Sequence, residues 1–524
     1  MATIRTCSFR NQTRQTSTRM GKFIPLELPP GVFANGTNQQ AAHRWRDSSL
    51  VRWSNGALGP VGGWQTWTQL TNRTTGVPRS ALAWTDNSGN RWMAAGTASN
   101  LHIYNDAGSI YDITPTGFTA GRKDASAETG YGKWLFGLST YGNERPDTGQ
   151  REPATMFKLS TWGEDLIAGT QFDGGDGKLY YWDSSAGVGT KAALISNAPT
   201  KNLSHIVTGE RFLVAIGADE DRTKVQWSDQ ENHNSWTPAS TNQAGSLSLG
   251  TNGELITAVT VRGQTLILGT NDVFTMNYIG PPFIFGFEKV GTDCGVVSQQ
   301  ACAVVDGVAY WMGERGFFTF DGYVRSLLPC DVLEFVQDNI SEVQVSKTIA
   351  WANSEFAEVW FIFPDDTTNE CAKAVSYNYR EKHWATHSFA RTAVAGRGSF
   401  NHPMLWASNG QPYEHEVGTA YPLIPSGAGT VYAESGPIQL MDGDRMLSCT
   451  SLIPDEKTLG STNVTFYGRM YPTDSDSVLG PYTLEAPTDV RFTQRSVRLR
   501  VTGDSASEWR WGIPRLEVSP GGRR

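Results

Sequence analysis

No stretch of about 18 consecutive apolar residues occurs in the chain, so the sequence offers no transmembrane helix. GxSxG, HExxH and GxxxxGK[ST] strings are absent, and no GxGxxG opens a helical pattern. Their absence removes the hydrolase, metalloprotease and nucleotide-binding classes that such motifs carry. Cysteine is scarce, and Cys7, Cys294, Cys302, Cys330, Cys371 and Cys449 are scattered without a CxxC pair. That usage fits free thiols in a chain assembled in a reducing cytosol, with a Cys294 to Cys302 bridge as the one conceivable pairing. Basic charge is also short: the net charge is −8 and the isoelectric point near 5.6. This argues against a protein that grips a phosphate backbone through its overall field, because such binding rests on clustered Lys and Arg. Arg5, Arg10, Arg14 and Arg19 stand near the start among Ser, Thr, Asn and Gln, but no apolar segment follows, so no secretory leader is expected. Helical periodicity is nearly missing. Only LPCDVLEFVQDNISEVQ, with Leu333, Phe335, Val336 and Ile340 near helical spacing, predicts a helix.

What is abundant points to strands and turns: 18 Trp, 23 Phe and 17 Tyr stand beside 55 Gly and 25 Pro. At 524 residues the chain exceeds one hydrophobic core, since single cores stop growing at roughly 250–300 residues. Residues 1–22 read as a flexible, basic N-terminal arm, and Met20-Gly21-Lys22-Phe23 offers a second start. Residues 23–79 carry N-terminal strands. Within them Leu50-Val51-Arg52-Trp53, a Ser54-Asn55-Gly56 turn and Ala57-Leu58 predict a hairpin.

From Ser80 a loose repeat appears, in which an apolar strand ends in Gly, a turn follows and an aromatic strand returns. LIAGT (166–170), LVAIG (213–217) and LILGT (266–270) are near-equivalent within it. Repeats of about 40–50 residues, each worth several short strands, are what propeller blades look like in sequence, and residues 80–420 give six to eight of them. The fold class is therefore all-β: a β-propeller of six to eight blades with an additional antiparallel β-sandwich at 421–524, where Val497, Leu499 and Val501 alternate with arginines. Those three residues, with Trp509 and Trp511, are expected to pack the sandwich. A Gly-rich insertion between Gly117 and Thr155, GYGKWLFGLSTYGNERPDTGQ, lacks periodicity and suits an exposed partner-binding loop.

Four features of the sequence could carry chemistry. His383 and His387 stand at i and i+4, but in a strand-like context with no third ligand, so a structural role is favoured. The turns FDGGDGK (Asp173, Asp176), GADEDR (Asp219, Glu220, Asp221) and PTDSDS (Asp474, Asp476) hold oxygen ligands without calcium-loop spacing, and solvated turns are preferred. WTDNSGNRW (Asp86, Gly89, Trp92) and WSDQENHNSW (Asp229, Trp236) share the ingredients of glycosidase Asp-box turns but not the spacing. Exposed Trp or Tyr could stack on sugars, but blade cores use the same aromatics. No catalytic, cofactor-binding or metal residue is assigned.

Three segments carry a resemblance: PPGVFANGTNQQAAHRWRDSSLVRWSNGALGPVGGW (29–64), VQWSDQENHNSWTP (225–238) and ILGTNDVFTMNYIGPPFIFGFEKVGTDCGVVS (267–298). With the C-terminal ESGPIQ and RVTGDSASEWRWG stretches, they resemble the tail hub, nozzle or tail-tube proteins of short-tailed bacteriophages. The resemblance implies a structural viral tail protein of the virion, made in the host cytoplasm. It implies a propeller on a sandwich-like platform, joined by residues 23–79. It also implies a homohexameric ring below portal and adaptor proteins, in contact with tail fibres or spikes, through which double-stranded DNA is retained and then passes at genome ejection. It brings no catalytic residue and no cofactor, so the protein is read as no enzyme. A receptor- or carbohydrate-binding tail protein is the alternative reading, and a propeller glycoside hydrolase the second.

Overall fold

The structure is a computed structural model that describes residues 21–67, 71–126, 152–327, 329–422, 431–439, 446–471, 473–503 and 508–520. Strands dominate it, and the helix α1 (Leu333–Asn339) lies where helical spacing places it. Five strands open the chain: β1 (Lys22–Pro25), β2 (Trp45–Ser49), β3 (Val51–Ser54), β4 (Ala57–Pro60) and β5 (Trp64–Thr66). β3 and β4 form the expected hairpin, with Ser54 opposite Ala57 around Asn55-Gly56. Both turn residues take positive φ, +51° and +77°. A two-residue hairpin turn requires this, and Asn-Gly tolerates it best.

Four-stranded antiparallel sheets then follow one another over residues 78–112, 157–194, 204–248, 255–291, 302–326 and 349–388. A further sheet has three strands of its own, Ala393–Ala395, Met404–Trp406 and Pro412–His415, and takes its fourth from β5, which pairs Trp64 with His415 and Thr66 with Tyr413. The first strands of all seven sheets touch in cyclic order, the last against the first. The protein is thus a seven-bladed β-propeller closed by a strand from the other end of the chain. The near-equivalent LIAGT, LVAIG and LILGT segments fall on the second strands of the second, third and fourth blades (Asp165–Thr170, Leu213–Ile216, Gln264–Gly269). Such a strand is covered on both sheet faces by neighbouring blades, so both alternating sets of side chains must be apolar. Aromatics join the blades: Trp92 meets Trp182 edge-on at 5.6 Å between the first and second, and Trp227 meets Phe285 at 5.3 Å between the third and fourth.

The second unit is a sandwich of two sheets. One runs β1, Arg515–Pro520, Leu447–Ile453, Thr488–Gln494, and the other β2, Tyr432–Ser435, Ser496–Gly503, Thr462–Arg469, Ser477–Thr483. Val497, Leu499, Val501, Trp509 and Trp511 are buried in its core. Residues 23–79 were expected to join this platform as a block. β1 and β2 do so, whereas β5 completes the seventh blade. The correction has a plain cause: an open ring would leave the strand Pro412–His415 with an unpaired, aggregation-prone edge. Arg391 secures the closure. Its guanidinium lies 4.7 Å from the Trp64 ring and 5.0 Å from that of Tyr413, and its Nε donates to His415 Nε2 at 2.9 Å. Cys294 and Cys302 are free thiols, so the conceivable bridge is not formed.

Where β3 passes between platform and propeller, Arg52 is buried. It donates to Glu358 of the sixth blade at 3.0 and 3.1 Å, and to Glu416, just past the seventh blade's third strand, at 2.6 and 3.0 Å. Its plane lies 3.6 Å from the Phe356 ring centre. Glu416 also accepts from the Gly62 amide (3.0 Å) and Asn353 Nδ2 (2.8 Å), and Glu358 from Trp360 Nε1 (3.0 Å). Burial outweighs the Arg52 charge and leaves Glu358 above the ordinary glutamate range. An acid raised in the fold loses stability as pH rises from its unfolded to its folded value. Arg52→Met should therefore cost about 3–5 kcal/mol at pH 8, two buried carboxylates being left without their cation. The gap to the wild type should narrow at pH 5, where Glu358 can hold a proton. Urea denaturation at the two pH values reads both effects, and an equal cost at both would contradict this assignment.

Candidate functional site

Described parts of the connections between successive blades and the turns between second and third strands lie on one face of the propeller. Together they shape a bowl of about 810 Å³ at the axial mouth. Its floor is apolar, from Met156, Leu203, Leu255, Ile256, Val296 and Val345, because these residues flank or begin inner strands whose side chains wedge between blades. Its rim is charged. Arg222 lies between Asp173, at 2.6 Å, and Glu254, with its guanidinium 5.2 Å from the Phe172 ring. Partial burial works against the Arg222 charge, but hydrogen bonding to Asp173 and the charge of Glu254 hold its pKa above the ordinary value. Arg122 pairs with Glu152 across the next gap. Beneath the rim, buried Gln171 accepts from the Met156 amide at 2.9 Å and donates to the Ala154 carbonyl at 2.6 Å, which sets the wall of the second blade.

The axis under the bowl is tied across. Gln299 donates to the Leu203 carbonyl at 2.7 Å, and Gln300 to the Phe157 carbonyl at 3.1 Å, so the segment before the fifth blade is fastened to the third and second. Gln344 exchanges hydrogen bonds with both backbone groups of Ala125 (3.0 and 2.9 Å), and Arg79 reaches Glu370 past the seventh blade. The propeller's own channel is consequently a packed, cross-braced axis.

Chemically the bowl sets charge pairs above an apolar floor. The described residues that line it include no His, Cys, Lys or Tyr, and Glu152, Asp173 and Glu254 are each taken by an arginine. Its carboxylates, with Glu314 added, outnumber its two arginines, so it favours neutral or cationic groups over phosphates.

The other sequence candidates engage neighbouring side chains and backbone groups. His383 lies beside Glu381 at 3.3 Å, whereas His387 stacks on Trp360 at 4.1 Å, shares a 2.8 Å hydrogen bond with Ser376 Oγ, and is pushed down to about 3 by burial. The acidic turns hold cations already: Asp176 meets Lys178 (3.1 Å), Asp219 meets Lys224 (2.8 Å), Glu220 meets Lys201, and Asp476 meets Arg469 (2.5 Å) and Arg498. Asp221 accepts from Thr223 and Ser248, and Asp474 from the Tyr471 amide at 2.9 Å. Among the described residues no cluster of His, Cys, Asp or Glu has a metal-holding arrangement.

Asp86 clasps its own hairpin, accepting from the Ser88 and Asn90 amides, Asn90 Nδ2 and Trp92 Nε1 at 2.8–3.0 Å. Asp229 does the same for the amides of Gln230 and Gln243, and Trp236 donates to the His233 carbonyl. No described Trp is exposed, so the described surface carries no Trp platform for a sugar. The insertion singled out above falls largely at 127–151, outside the described residues. Sequence reasoning missed Arg222, Gln171, Gln299 and Gln300. The available signal was their place just before or between blade strands, where polar residues have no other reason to recur.

No family model matches the chain, and no curated protein matches it. Solved structures similar to it include virginiamycin B lyase from Staphylococcus aureus, 9% identical over 67% of this chain and 98% of that one, TM-score 0.39. BamB from Moraxella catarrhalis is 11% identical over 66% and 96%, TM-score 0.33. A fungal alcohol oxidase is 11% identical over 87% and 99%, TM-score 0.40. At this distance none of them bears on substrate or partner, and the fold rests on the strand order given above.

Arg222→Met should leave Asp173 and Glu254 facing each other on the rim. Because this side chain is 38% exposed, the expected loss is only about 1 kcal/mol at low salt, and less in 0.5 M salt where the repulsion is screened. Denaturation at two ionic strengths checks it.

Proposed function

We propose that this chain is a structural virion protein, a subunit of the nozzle or hub ring in the tail of a short-tailed bacteriophage, and not an enzyme. In this reading six copies form the ring below portal and adaptor proteins. Double-stranded DNA is held in the lumen between them and leaves through it.

The observation that supports the reading most lies in the segment 267–298, one of those that resemble the tail proteins. There the outer two strands of the fourth blade, Val273–Gly280 and Ile284–Gly291, are eight residues each and run past their neighbour, which pairs with 273–276 alone. Residues 273–287 contain no charged side chain. At the projecting tip Tyr278, Ile279 and Phe283 are 38%, 58% and 74% exposed. An uncharged aromatic knob held outside a folded blade is chemistry suited to a subunit or virion contact. The net charge of −8, multiplied around a ring, suits a lumen that lets a duplex slide without sticking. The paired carboxylates of the bowl fit a non-enzymatic role.

The carbohydrate-binding reading has the bowl and Phe172 in its favour, and the same experiment separates the two. Electron cryo-microscopy of particles containing this protein should place it as a ring on the tail axis, with the Ile279 and Phe283 tip at a protein contact. Ile279→Ser combined with Phe283→Ser should reduce its incorporation at least tenfold while leaving the monomer folded. Copies displayed away from the axis, with the bowl outward, would overturn the ring reading.

A further inference from the structure

The bowl does not end at its rim. Past Glu314 it continues into a second hollow of about 420 Å³, with which it shares Val297, Glu314 and Val345. The helix α1 walls that hollow with Leu333, Val336 and Ile340, and Met312 and Phe317 of the fifth blade lie across from it. Bowl and hollow together make one groove over the axial face. Ile256, Val297, Leu333, Ile340, Val343 and Val345 line it while only half-buried, so among the described residues its apolar floor is left open. A contiguous apolar floor open to water is where a further segment gains most by docking.

The charge around the groove says what kind of segment suits it. Glu152, Asp173, Glu254, Glu314 and Glu342 border it against only Arg122 and Arg222. Those two arginines answer Glu152, Asp173 and Glu254. Glu314 and Glu342 are exposed, and among the described residues no ion pair takes up either of them. α1 adds exposed Glu334 and Asp338 and no basic side chain. A matching occupant therefore combines apolar side chains with positive charge. Residues 1–20, outside the described residues, have that chemistry: Arg5, Arg10, Arg14 and Arg19 with no Asp or Glu, and Ile4 and Phe9 each directly before an arginine. Residues 127–151, which join the rim at Ser126 and Glu152, set Glu128, Glu144 and Asp147 against Lys133, Arg145 and Arg151 and so bring no net charge.

Residues 1–20 are also long enough to arrive. From Gly21 the chain runs through β1 to Ala34 and Asn35, which bond to the carbonyls of Asp331 and Cys330 at 2.7 Å, while Asn35 Oδ1 accepts from the Glu334 amide at 3.1 Å, at the start of α1. The path from Gly21 to Asn35 spans at most about 50 Å, whereas residues 1–20 extended reach about 70 Å. A tether of this kind keeps its free end at an effective concentration on the order of millimolar, so modest contacts hold it. We propose that residues 1–20 dock in the axial groove of their own chain, with Ile4 and Phe9 on its apolar floor and Arg5 and Arg10 against Glu314 and Glu342. The segment then covers the bowl, and a partner that takes the bowl has to displace it. This contact is independent of the tail reading.

The test uses the full chain, in which Cys7 marks the segment and the described cysteines are buried or half-buried. Glu314→Cys puts a second reactive thiol on the groove. Arg380→Cys puts one on an exposed turn of the sixth blade, close to the Trp384 carbonyl that Val32 meets on the way from Gly21. A short bismaleimide is applied to a mixture of isotope-labelled and unlabelled chains, and the joined peptides are read by mass spectrometry. Cys7 should be joined within one chain to the thiol of Glu314→Cys, about fivefold more than to that of Arg380→Cys. Arg5→Glu with Arg10→Glu should cut this yield about threefold, and 0.5 M salt should lower it too, because exposed charges are screened. All these positions are exposed or lie in residues 1–20, so the fold is kept. No joining at Glu314→Cys, as when another segment fills the groove, would overturn the proposal. Equal yields at the two thiols, a yield indifferent to the arginines, or joining only between labelled and unlabelled chains would do the same.

Discussion

A single buried cation between two carboxylates holds the two halves of this molecule in register. Arg52 arrives on a hairpin whose outer strand is bonded to the sandwich through paired Leu58 and Trp511 backbone groups, and its guanidinium is spent on the sixth blade and the end of the seventh. Twelve residues later, at Trp64, the same stretch becomes the strand that closes the propeller. The ring cannot close in this way unless the chain between Val51 and Trp64 lies correctly, and the desolvated Arg52 makes any other placement expensive, since each buried carboxylate would lose its counter-charge. Platform and propeller also share one continuous hydrophobic core, which includes Trp53, Leu58, Trp64, Trp360 and Trp511.

The interior of the propeller follows a second constraint. Long polar side chains tie the inner strands and the segments beside them together: Lys158, Gln299, Gln300 and Gln344 each reach a backbone or hydroxyl group in another blade or connection. This bracing makes the axis unsuited to carrying DNA. A lumen for DNA, as the proposed function requires, has to lie between subunits, and the side chains that would line it are then on blade exteriors or on the platform.

Much of this was legible in the chain. The LIAGT-like segments mark second strands because burial on both faces removes every polar position. Asn55-Gly56 marks a tight turn because few other residue pairs accept two positive φ values. The Leu333 periodicity marks α1. Local signals failed where the structure depends on distance along the chain. β5 has nothing in its three residues to announce that its partner lies some 350 positions later, and the Arg52 partners Glu358 and Glu416 are 306 and 364 residues away. The bowl was illegible for the same reason: connections of at least four blades contribute to it, and a charged residue in a connection looks like a solvated turn until the ring brings its partner opposite.

The central claim is that ring closure by β5 and docking of the platform form one cooperative unit through Arg52. Native-state hydrogen exchange tests it most directly. The amides of Trp64–Thr66 and of its partner strand Pro412–His415 should be protected to nearly the same free energy as those of the buried strand Glu358–Pro364 and the platform strand Ser496–Gly503, all opening together. Exchange of Trp64–Thr66 through a separate low-energy opening, with the sixth blade and the platform still protected, would contradict the account.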